Sequence, residues 1–364
     1  MSSMKKILII NTNIFDRNGM STVVMNYYEY MDRSNLSFDF IVNDYMDEDY
    51  KNYISRHGDN VYLFKNRKKN PMQYILQIKN IIKRNDYDVI HIHGNSSTVC
   101  AEIFAIKTSN IRAKVILHAH SVRTDHPFIH KIFLKYINRN IDVALAASKK
   151  AGEFLFKDFN EFTVIPNGID VNKFKFNSED RKRIRNKYSF NEKDKVLLHV
   201  GAFNGTKNQS FLIEMFNELL KIDNSYRLLL IGDGELKNKK VSQVKKLNLD
   251  KRIKFLGEIS DISPYYSASD VFLFPSNYES FGIVALEAQA NGLPCLVSDR
   301  LPTVVKLTNN LQFLKIGENQ INTWIEFILK SKRDDNVDYK AWSENGYEIS
   351  TIAEKIRRIY LDGK

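Results

Sequence analysis

Short apolar segments alternate with longer amphipathic ones along almost the whole of this 364-residue chain. In the first half, KILIIN, FDFIVN, DVIHIHG, AKVILHAHS and DVALAAS are short and rich in strand-forming residues. STVVMNYYEYM and PMQYILQIKNIIKR instead have apolar residues at helical spacing. This alternation is typical of parallel sheets covered by helices, so we predict an α/β fold.

The alternation is interrupted at Pro166, Asn167 and Gly168, and it then restarts. The second series includes KVLLHVGAF, NQSFLIEMFNELL, YRLLLIGDG, RIKFLGEI, DVFLFPS and PCLVSD. A chain of this length exceeds what one hydrophobic core usually supports. We therefore predict two doubly wound, Rossmann-like domains that face a central cleft. The predicted domains are residues 1–168 and 169–345, and segment 346–364 is expected to pack back on the first.

Composition favours a soluble protein of a reducing compartment. Hydrophobic residues make up 43% of the chain and charged residues 27%. The two cysteines, Cys100 and Cys295, lie in different halves, which excludes a disulfide framework and a thiolate metal site. The longest apolar runs are too short for a membrane span or a signal peptide. We expect a cytoplasmic protein.

The formal net charge of +11 indicates an anionic partner. Nucleic acid, phosphorylated substrates and anionic lipid all fit this charge, although an AT-rich genome alone could also enrich lysine. No nucleic-acid-binding motif accompanies the basic stretches, so we expect no nucleic-acid partner. PMQYILQIKNIIKR and PFIHKIFLKYINR are basic helices with an apolar stripe. Either the stripe packs on the sheet, which we favour, or it contacts an anionic membrane.

Loops that follow strands are the places to search for chemistry, because doubly wound sheets bind ligands at the carboxyl ends of their strands. HVGAFNGTKNQ ends a strand at Gly201 and brings Lys207 to the start of a helix, where a phosphate could bind. An ordinary surface lysine is the alternative. IGDGE places Gly232 and Gly234 after the next strand but lacks the third glycine of a dinucleotide-binding motif.

Two acids flank an apolar run in SNYESFGIVALEAQANGLP, residues 276–294. If Ser280 caps a helix here, the amides of residues 281–283 are free to bind phosphate. Glu279 and Glu287 would lie roughly 12 Å apart along a helix. That is longer than the separation of about 5 to 9.5 Å between glycosidase carboxylates. The pair fits better as acceptors for hydroxyl groups of one extended ligand that carries phosphate between them.

Four histidines alternate along two predicted strands, and two His-x-His pairs raise the question of a metal site. No cysteine or carboxylate completes a ligand set, so we predict no metal. His93 and His120 lie nearest the strand ends and are candidates for a cleft, whereas His91 and His118 are expected to be buried and hydrogen-bonded. The Asp-x-Asp sequences at 47–49 and 86–88 are interpreted as solvated acids.

The E-x7-E sequence from Glu279 to Glu287, with DVFLFPS before it and AQANGLP after it, resembles the signature of family 4 retaining glycosyltransferases. VIPNGIDVNKF, HVGAFNGTKNQSFLIEMF, LLLIGDGEL and IKFLGEISDI resemble the same family in the same order. The resemblance covers nearly the whole chain and implies the GT-B fold. Within the family, HAHS and EAQANGLP are most similar to bacterial exopolysaccharide and capsule-assembly enzymes.

The resemblance also implies roles for individual residues. The second domain would hold a nucleotide-sugar donor, with Glu287 on the ribose, Glu279 facing the transferred sugar and Lys207 on the diphosphate. His120 matches a histidine near the sugar. The other implied donor contacts are Gly19, Gly201, Gly232, Glu258, Ile259, Ser280, Phe281, Gly282 and Ile283; the implied acceptor-side residues are Asn18, Gly19, His93 and His120.

Two positions depart from the family pattern. Ala202 stands where an arginine commonly follows the strand glycine, which leaves Lys207 as the main cation on the leaving diphosphate. Asn18-Gly19 stands where the first loop usually has two glycines. Both departures bear on how the donor is held.

From the resemblance we expect a retaining hexosyltransferase that needs no metal or other cofactor. It would move a sugar from a nucleoside diphosphate, most often uridine diphosphate, to a growing, lipid-linked glycan of capsule or exopolysaccharide. The reaction would take place at the inner face of the membrane, with domain closure about residues 166–170. A GT-B nucleotide-sugar epimerase and a non-catalytic partner subunit are the alternatives. The donor sugar, acceptor, linkage and oligomeric state are not predicted.

Overall fold

The computed structural model describes residues 4–65, 67, 69–157, 159, 161–279 and 281–362. The chain divides into two compact units. Unit 1 is Met1–Gly168 with Ile349–Lys364, and unit 2 is Ile169–Glu348.

Unit 1 begins with a parallel sheet whose strands alternate with helices. Its strands are β1 (Lys5–Asn11), β2 (Leu36–Asn43), β3 (Asn60–Phe64), β4 (Val89–Gly94), β5 (Lys114–Ala119), β6 (Val143–Ala146) and β7 (Thr163–Val164). Its helices up to this point are α1 (Gly19–Tyr30), α2 (Glu48–Arg56), α3 (Pro71–Asn85), α4 (Cys100–Lys107), α5 (Pro127–Arg139) and α6 (Lys149–Leu155), with a 3-10 turn at Ser97–Val99. Over the described residues the strand order is β3-β2-β1-β4-β5-β6-β7.

The central strands of unit 1 are buried on both faces, which is why they read as continuous apolar runs. One face packs against α3, α4 and α6 through residues such as Ile10, Ile92, Ile78 and Ile103. The other face lies under α1, where Tyr28 packs edge-on against Phe40 at 5.2 Å between ring centroids. The sequence predicted that the apolar stripe of α5 also packs on the sheet, and this holds only for its carboxyl-terminal half, where Ile137 is buried and Leu134 and Tyr136 are half-buried against the same core. Phe128 and Ile132 are instead exposed.

Unit 2 repeats the same plan. Its strands are β8 (Lys195–Val200), β9 (Tyr226–Ile231), β10 (Ile253–Gly257), β11 (Val271–Phe274), β12 (Cys295–Ser298) and β13 (Leu311–Leu314). Its helices are α7 (Val171–Phe174), α8 (Ser178–Lys187), α9 (Gln209–Ile222), α10 (Lys237–Lys246), α11 (Ser263–Ala268), α12 (Ile283–Ala290), α13 (Ile321–Lys330) and α14 (Lys340–Glu344), with 3-10 turns at Thr303–Val305 and Glu318–Gln320. The strand order in the described part of this unit is β10-β9-β8-β11-β12-β13.

Two apolar layers cover the sheet of unit 2. One contains the buried residues of α11 and α12 together with Trp342, and the other contains α9 and Trp324. In each unit the first strand, β1 or β8, lies inside the sheet, and later strands are added on both sides of it. This is the strand order of a doubly wound fold. The predicted α/β class with two parallel sheets is therefore confirmed.

The last helix, α15 (Ile349–Leu361), belongs to unit 1. It packs beside α1, and the hydroxyl of Tyr360 lies 2.6 Å from Nδ1 of His91 on β4. Lys5 and Lys114 donate to the carbonyls of Leu361 and Ile359, both at 2.9 Å. These ammonium groups satisfy carbonyls that the end of a helix leaves unpaired, so they fix α15 to the amino ends of β1 and β5.

Candidate functional site

Three loops meet at the carboxyl edge of the unit 2 sheet, where the neighbouring strands β9, β8 and β11 end. The amide of Asn277 donates to the carbonyl of Thr206 at 2.7 Å. The side-chain amide of Asn208 donates to the carbonyl of Pro275 at 3.2 Å. The loop after β8 and the loop after β11 are thus held together by the backbone and by short polar side chains.

Gly232 allows the loop after β9 to join this edge. Its φ of 131° is one that residues with a side chain rarely adopt, and a Cβ there would lie 2.3 Å from the carbonyl oxygen of Gly201. The backbone at Gly232 is therefore in close contact with another part of the protein's own backbone. Of the other implied donor residues, Glu258 and Ile259 directly follow β10, and Glu258 is exposed.

Lys207 and Glu279 form an ion pair at this edge. Their side chains are only 19% and 11% exposed. The ammonium also lies 4.9 Å from the centre of the Phe274 ring, and the stem passes so close to Gly201 that a Cβ there would meet it at 3.3 Å. The sequence selected both charged residues for one ligand, and the structure brings them into direct contact. An anion that binds Lys207 must share it with this carboxylate.

Glu287 has an internal partner, which the sequence did not reveal. It is buried in α12, and the hydroxyl of Tyr266 on α11 donates to its Oε2 at 2.7 Å. Burial raises the pKa of Glu287 to about 7, while the Tyr266 hydrogen bond and the charge of Lys173 favour the ionised form. Tyr266 is thus an internal partner for one oxygen of this buried acid, and the carboxyl group is poised to titrate near neutral pH.

The start of α12 differs from the prediction. Ser280, the predicted cap, lies outside the described residues. The helix begins at Ile283, after Gly282 in a left-handed conformation with φ of 90°. Phe281 is buried and stacks on Tyr347, so it belongs to the core. The amides of the first helical turn are therefore those that start at Ile283, and not those of Phe281 and Gly282.

Arg300 is a cation of this edge that the sequence reasoning missed. Its guanidinium lies 3.4 Å from the carbonyl oxygen of Asn277, in the loop that leads to Glu279. At Ala202, where the family commonly has arginine, the carbonyl accepts from the side chain of Gln209 at 3.0 Å. Arg300 is the second residue after the end of β12, so searching the loop after that strand would have found it.

In unit 1 the structure places the four histidines together on the face of β4 and β5 that lies toward α1. Nδ1 of His93 and Nε2 of His120 share a hydrogen bond at 2.9 Å. His91 is hydrogen-bonded to Tyr360, as predicted. His118 is buried, as predicted; the backbone of Ile165 provides a hydrogen-bonding contact that favours the protonated ring, although neither ring nitrogen has a partner of ordinary geometry within the described residues. His93 is buried and His120 is half-buried.

Burial also sets the protonation of these histidines. It lowers the pKa of His120 to about 3 and holds the pKa values of His91, His93 and His118 well below the usual range. The rings are therefore neutral at physiological pH. One nitrogen each of His91, His93 and His118 lie within 4.8 Å of one another, a spacing that a metal ion could bridge. Nδ1 of His91 and Nδ1 of His93 already have the partners given above, and the absence of a metal stays a prediction.

Asn18 caps α1, which explains why asparagine stands in the first loop. Its Oδ1 accepts from the amides of Met20 and Ser21 at 3.0 and 3.1 Å. Gly19 is the first helical residue, and nothing lies within 4 Å of where its Cβ would be. Asn18 thus has a structural role, while Gly19 leaves open space at the carboxyl edge of the unit 1 sheet.

The two Asp-x-Asp sequences serve local structure. Asp47 caps α2 and pairs with Arg17 at 3.1 Å, and Asp49 pairs with the same guanidinium. Asp86 ends α3 in a left-handed conformation, and Asp88 accepts from the amide of Lys6 at 2.8 Å. These contacts give each acid a role in capping or pairing.

Two family profiles match the chain. The profile described as Glycosyltransferase Family 4 matches residues 17–173, and the one described as Glycosyl transferases group 1 matches residues 180–349. The chain belongs to the family 4 glycosyltransferases, as the sequence motifs indicated. Its two Rossmann-like units are those of the GT-B fold.

Individual relatives span most of the chain. It is 29% identical over 343 residues to glycosyltransferase EpsF of Bacillus subtilis, covering 91% of this chain and 88% of EpsF. It is 27% identical over 315 residues to the UDP-Gal:alpha-D-GlcNAc-diphosphoundecaprenol alpha-1,3-galactosyltransferase of Escherichia coli, covering 80% and 79%. Among solved structures, Anabaena HepE in complex with UDP and glucose has a TM-score of 0.77 at 21% identity, covering 98% of this chain and 99% of HepE.

Proposed function

We propose that this protein is a retaining, metal-independent glycosyltransferase. It moves a sugar from a nucleoside diphosphate, with uridine diphosphate the first candidate, to a growing lipid-linked glycan in bacterial exopolysaccharide or capsule synthesis. The observation that carries the proposal is the buried Lys207–Glu279 ion pair at the carboxyl edge of the unit 2 sheet, beside α12 and its Glu287. The name of the Escherichia coli relative, which gives a UDP-sugar donor and a diphosphoundecaprenol-linked acceptor, supports the choice of uridine diphosphate and of a lipid-linked glycan.

The donor is proposed to lie along this edge with its diphosphate near the start of α12. Helix amides and the helix dipole favour an anion there. The ribose would be held by Glu287, whose Oε2 is already fixed by Tyr266. The sugar would face Glu279. Two carboxylates would thus serve the ribose and the sugar, while the helix start and Lys207 would serve the diphosphate.

Catalysis would come from positioning and from charge. As the bond between sugar and phosphate breaks, negative charge grows on the leaving diphosphate, and Lys207 with the first α12 amides stabilises it. Arg300 is placed to supply further positive charge where Ala202 supplies none. The acceptor would attack from the face that the diphosphate leaves, and the departing phosphate would take the acceptor's proton. This route keeps the anomeric configuration without a protein nucleophile.

Unit 1 is proposed to hold the acceptor at the carboxyl edge of its sheet, around Gly19, His93 and His120. Because the pKa of His120 is lowered to about 3, His120 would act as a neutral hydrogen-bonding group and not as a cation. We further propose a cytoplasmic location at the inner face of the membrane, where a lipid-linked acceptor is accessible.

The test is to incubate the protein with a panel of nucleotide sugars, with and without bacterial membrane lipid extract, and to follow nucleotide release and the anomer of the product. Release that depends on the extract, with the donor's anomeric configuration kept, is the expected result. An altered sugar nucleotide formed without acceptor would indicate an epimerase. A folded protein that releases nucleotide from none of the donors would overturn the proposal and favour a non-catalytic subunit.

A further inference from the structure

Three neighbouring helices of unit 1 expose large apolar side chains. α3 packs beside α4, and α4 lies beside α5. Phe128 of α5 is 76% exposed, Met72 of α3 is 65% exposed, and Phe104 of α4 is 46% exposed. The remaining members of this surface are Leu76, Ile129, Ile132 and Phe133. We call these seven residues the apolar face. Apolar surface of this extent on one side of a soluble domain marks a contact with another surface.

The apolar face is built mainly by α5. Ile132 and Phe133 each follow Phe128 and Ile129, respectively, by four positions, so the two adjacent pairs share one side of the helix. The opposite side holds the helix to unit 1, where Ile137 is buried and His130 stacks on Phe154 at 4.3 Å between ring centroids. Of the four, Phe128 and Ile132 are the least covered by the protein, at 76% and 53% exposed.

The three helices that form the apolar face carry mainly positive charge. α3, α4 and α5 carry seven basic residues, which are Lys79, Lys83, Arg84, Lys107, Lys131, Lys135 and Arg139. Their one acidic residue is Glu102, which is buried and paired with Arg67 at 2.6 Å. No exposed carboxylate on these three fully described helices offsets the basic residues. A helix with an exposed apolar side and flanking lysines matches the surface of an anionic bilayer.

We propose that the apolar face, with its flanking basic residues, binds an anionic membrane surface. Phe128, Ile132 and Met72 would enter the boundary between headgroups and acyl chains, while the lysines contact anionic headgroups. A second copy of the chain fits poorly, because two such faces would bring like charges together. The role of this contact in presenting a lipid-linked acceptor rests on the proposed function, whereas the contact itself does not. In the described parts of the chain, no helix is long and apolar enough to span a bilayer.

The test is co-sedimentation of the full chain with vesicles of phosphatidylglycerol and phosphatidylcholine in equal parts, compared with vesicles of phosphatidylcholine alone. The wild-type protein should bind the anionic vesicles, and added salt should weaken binding because it screens the lysines. Lys131→Gln/Lys135→Gln should weaken binding by about 30-fold, since each basic residue near an anionic surface contributes roughly five-fold. Phe128→Ser/Ile132→Ser should weaken it by at least about ten-fold.

Matched controls come from unit 2. Ile222 is 63% exposed and Lys251 is also exposed, so Ile222→Ser and Lys251→Gln remove the same kinds of side chain elsewhere. Circular dichroism checks that every variant folds. Equal binding by wild type and by both unit 1 variants, or no binding to anionic vesicles, would overturn the proposal. A dimer that forms without vesicles and that Phe128→Ser/Ile132→Ser converts to monomer would show that the apolar face binds a second copy of the chain, and would overturn the membrane proposal.

The same samples separate this proposal from the proposed function. Vesicle binding without nucleotide release from any donor would leave the membrane contact intact and remove the transferase. Sugar transfer to a soluble acceptor by a protein that does not bind vesicles would support the transferase and overturn the membrane contact. Each proposal can therefore fail alone.

Discussion

Removing the hydroxyl of Tyr266 should shift the pH range in which the protein binds a nucleotide. Burial raises the pKa of Glu287 to about 7, and the hydrogen bond from Tyr266 to Oε2, at 2.7 Å, counteracts burial by favouring the carboxylate. A hydrogen bond to a charged group contributes about 1.5 to 3 kcal/mol, and one pKa unit corresponds to about 1.4 kcal/mol. Tyr266→Phe should therefore raise the pKa of Glu287 by about one to two units.

The sign of the effect follows from which form binds. The ribose hydroxyls are proposed to donate hydrogen bonds to the carboxylate of Glu287. Nucleotide affinity should therefore be highest above the pKa of Glu287, and it should fall about ten-fold per pH unit below that pKa. The wild-type midpoint should lie near pH 7, and that of Tyr266→Phe at about pH 8 to 9. The same pKa shift affects folding. A carboxyl group whose pKa is raised in the native state stabilises that state fully at pH values below its pKa in the unfolded chain, which is 4.5. That stability is lost as the pH rises through 7.

The assay is calorimetric titration with UDP at a series of pH values on either side of neutrality. Tyr265→Phe is the matched control, because Tyr265 is the adjacent buried tyrosine and its hydroxyl faces that of Tyr188 at 3.4 Å instead of Glu287. Glu287→Gln should remove the pH dependence altogether. Identical midpoints for wild type and Tyr266→Phe would refute the reasoning, because they would show that this hydrogen bond does not set the titration.

Three further expectations concern the charged and titratable groups. Glu279→Gln should tighten binding of UDP, because it frees Lys207 from its ion pair, and should slow sugar transfer, because the sugar loses a hydrogen-bonding carboxylate. Glu326→Gln, which removes an exposed carboxylate paired with Lys330 on α13, is the control, and weaker UDP binding by Glu279→Gln would contradict this account. The free energy of unfolding of unit 1 should fall as the pH drops below about 6.5, because the unfolded chain takes up protons that the buried histidine rings do not. The loss should be about 1.4 kcal/mol per pH unit for each histidine whose native pKa is depressed. Hydrogen exchange followed by mass spectrometry resolves unit 1 from unit 2, and an unchanged unit 1 at pH 5.5 would exclude this effect. Transfer should continue unchanged in EDTA, and an activity that EDTA abolishes and a divalent ion restores would show that a metal is required.

The sequence predicted the central strands of both sheets well, and the physical reason is their burial. Strands such as β1 and β9 are covered on both faces along residues 7–10 and 228–231, and these stretches are apolar without interruption. The sequence analysis did not predict β3 and β13, which are edge strands. β3 has one buried residue in five, so its pattern carried little signal.

The candidate site was predicted in its residues but not in its contacts. Lys207 and Glu279 were each selected as ligand-binding groups, yet they are 72 positions apart and their pairing depends on how the loops after β8 and β11 meet. Tyr266 had no local signal, because it lies on a different helix from Glu287 and reaches the carboxylate through the packing of α11 on α12. The direction of an apolar stripe was also beyond the sequence, since the amino-terminal half of α5 turns its stripe outward.

The central claim is that Lys207 stabilises the leaving diphosphate, and the most direct measurement is the single-turnover rate of sugar transfer by Lys207→Ala. The matched control is Lys195→Ala. Lys195 is also ion-paired, but it lies at the amino end of β8, whereas Lys207 lies in the loop that follows the carboxyl end of that strand. Because the charge acts mainly on the transition state, Lys207→Ala should slow transfer by about 100-fold or more, with a smaller loss of donor affinity, while Lys195→Ala transfers at the wild-type rate. Equal single-turnover rates for wild type and Lys207→Ala would contradict the account.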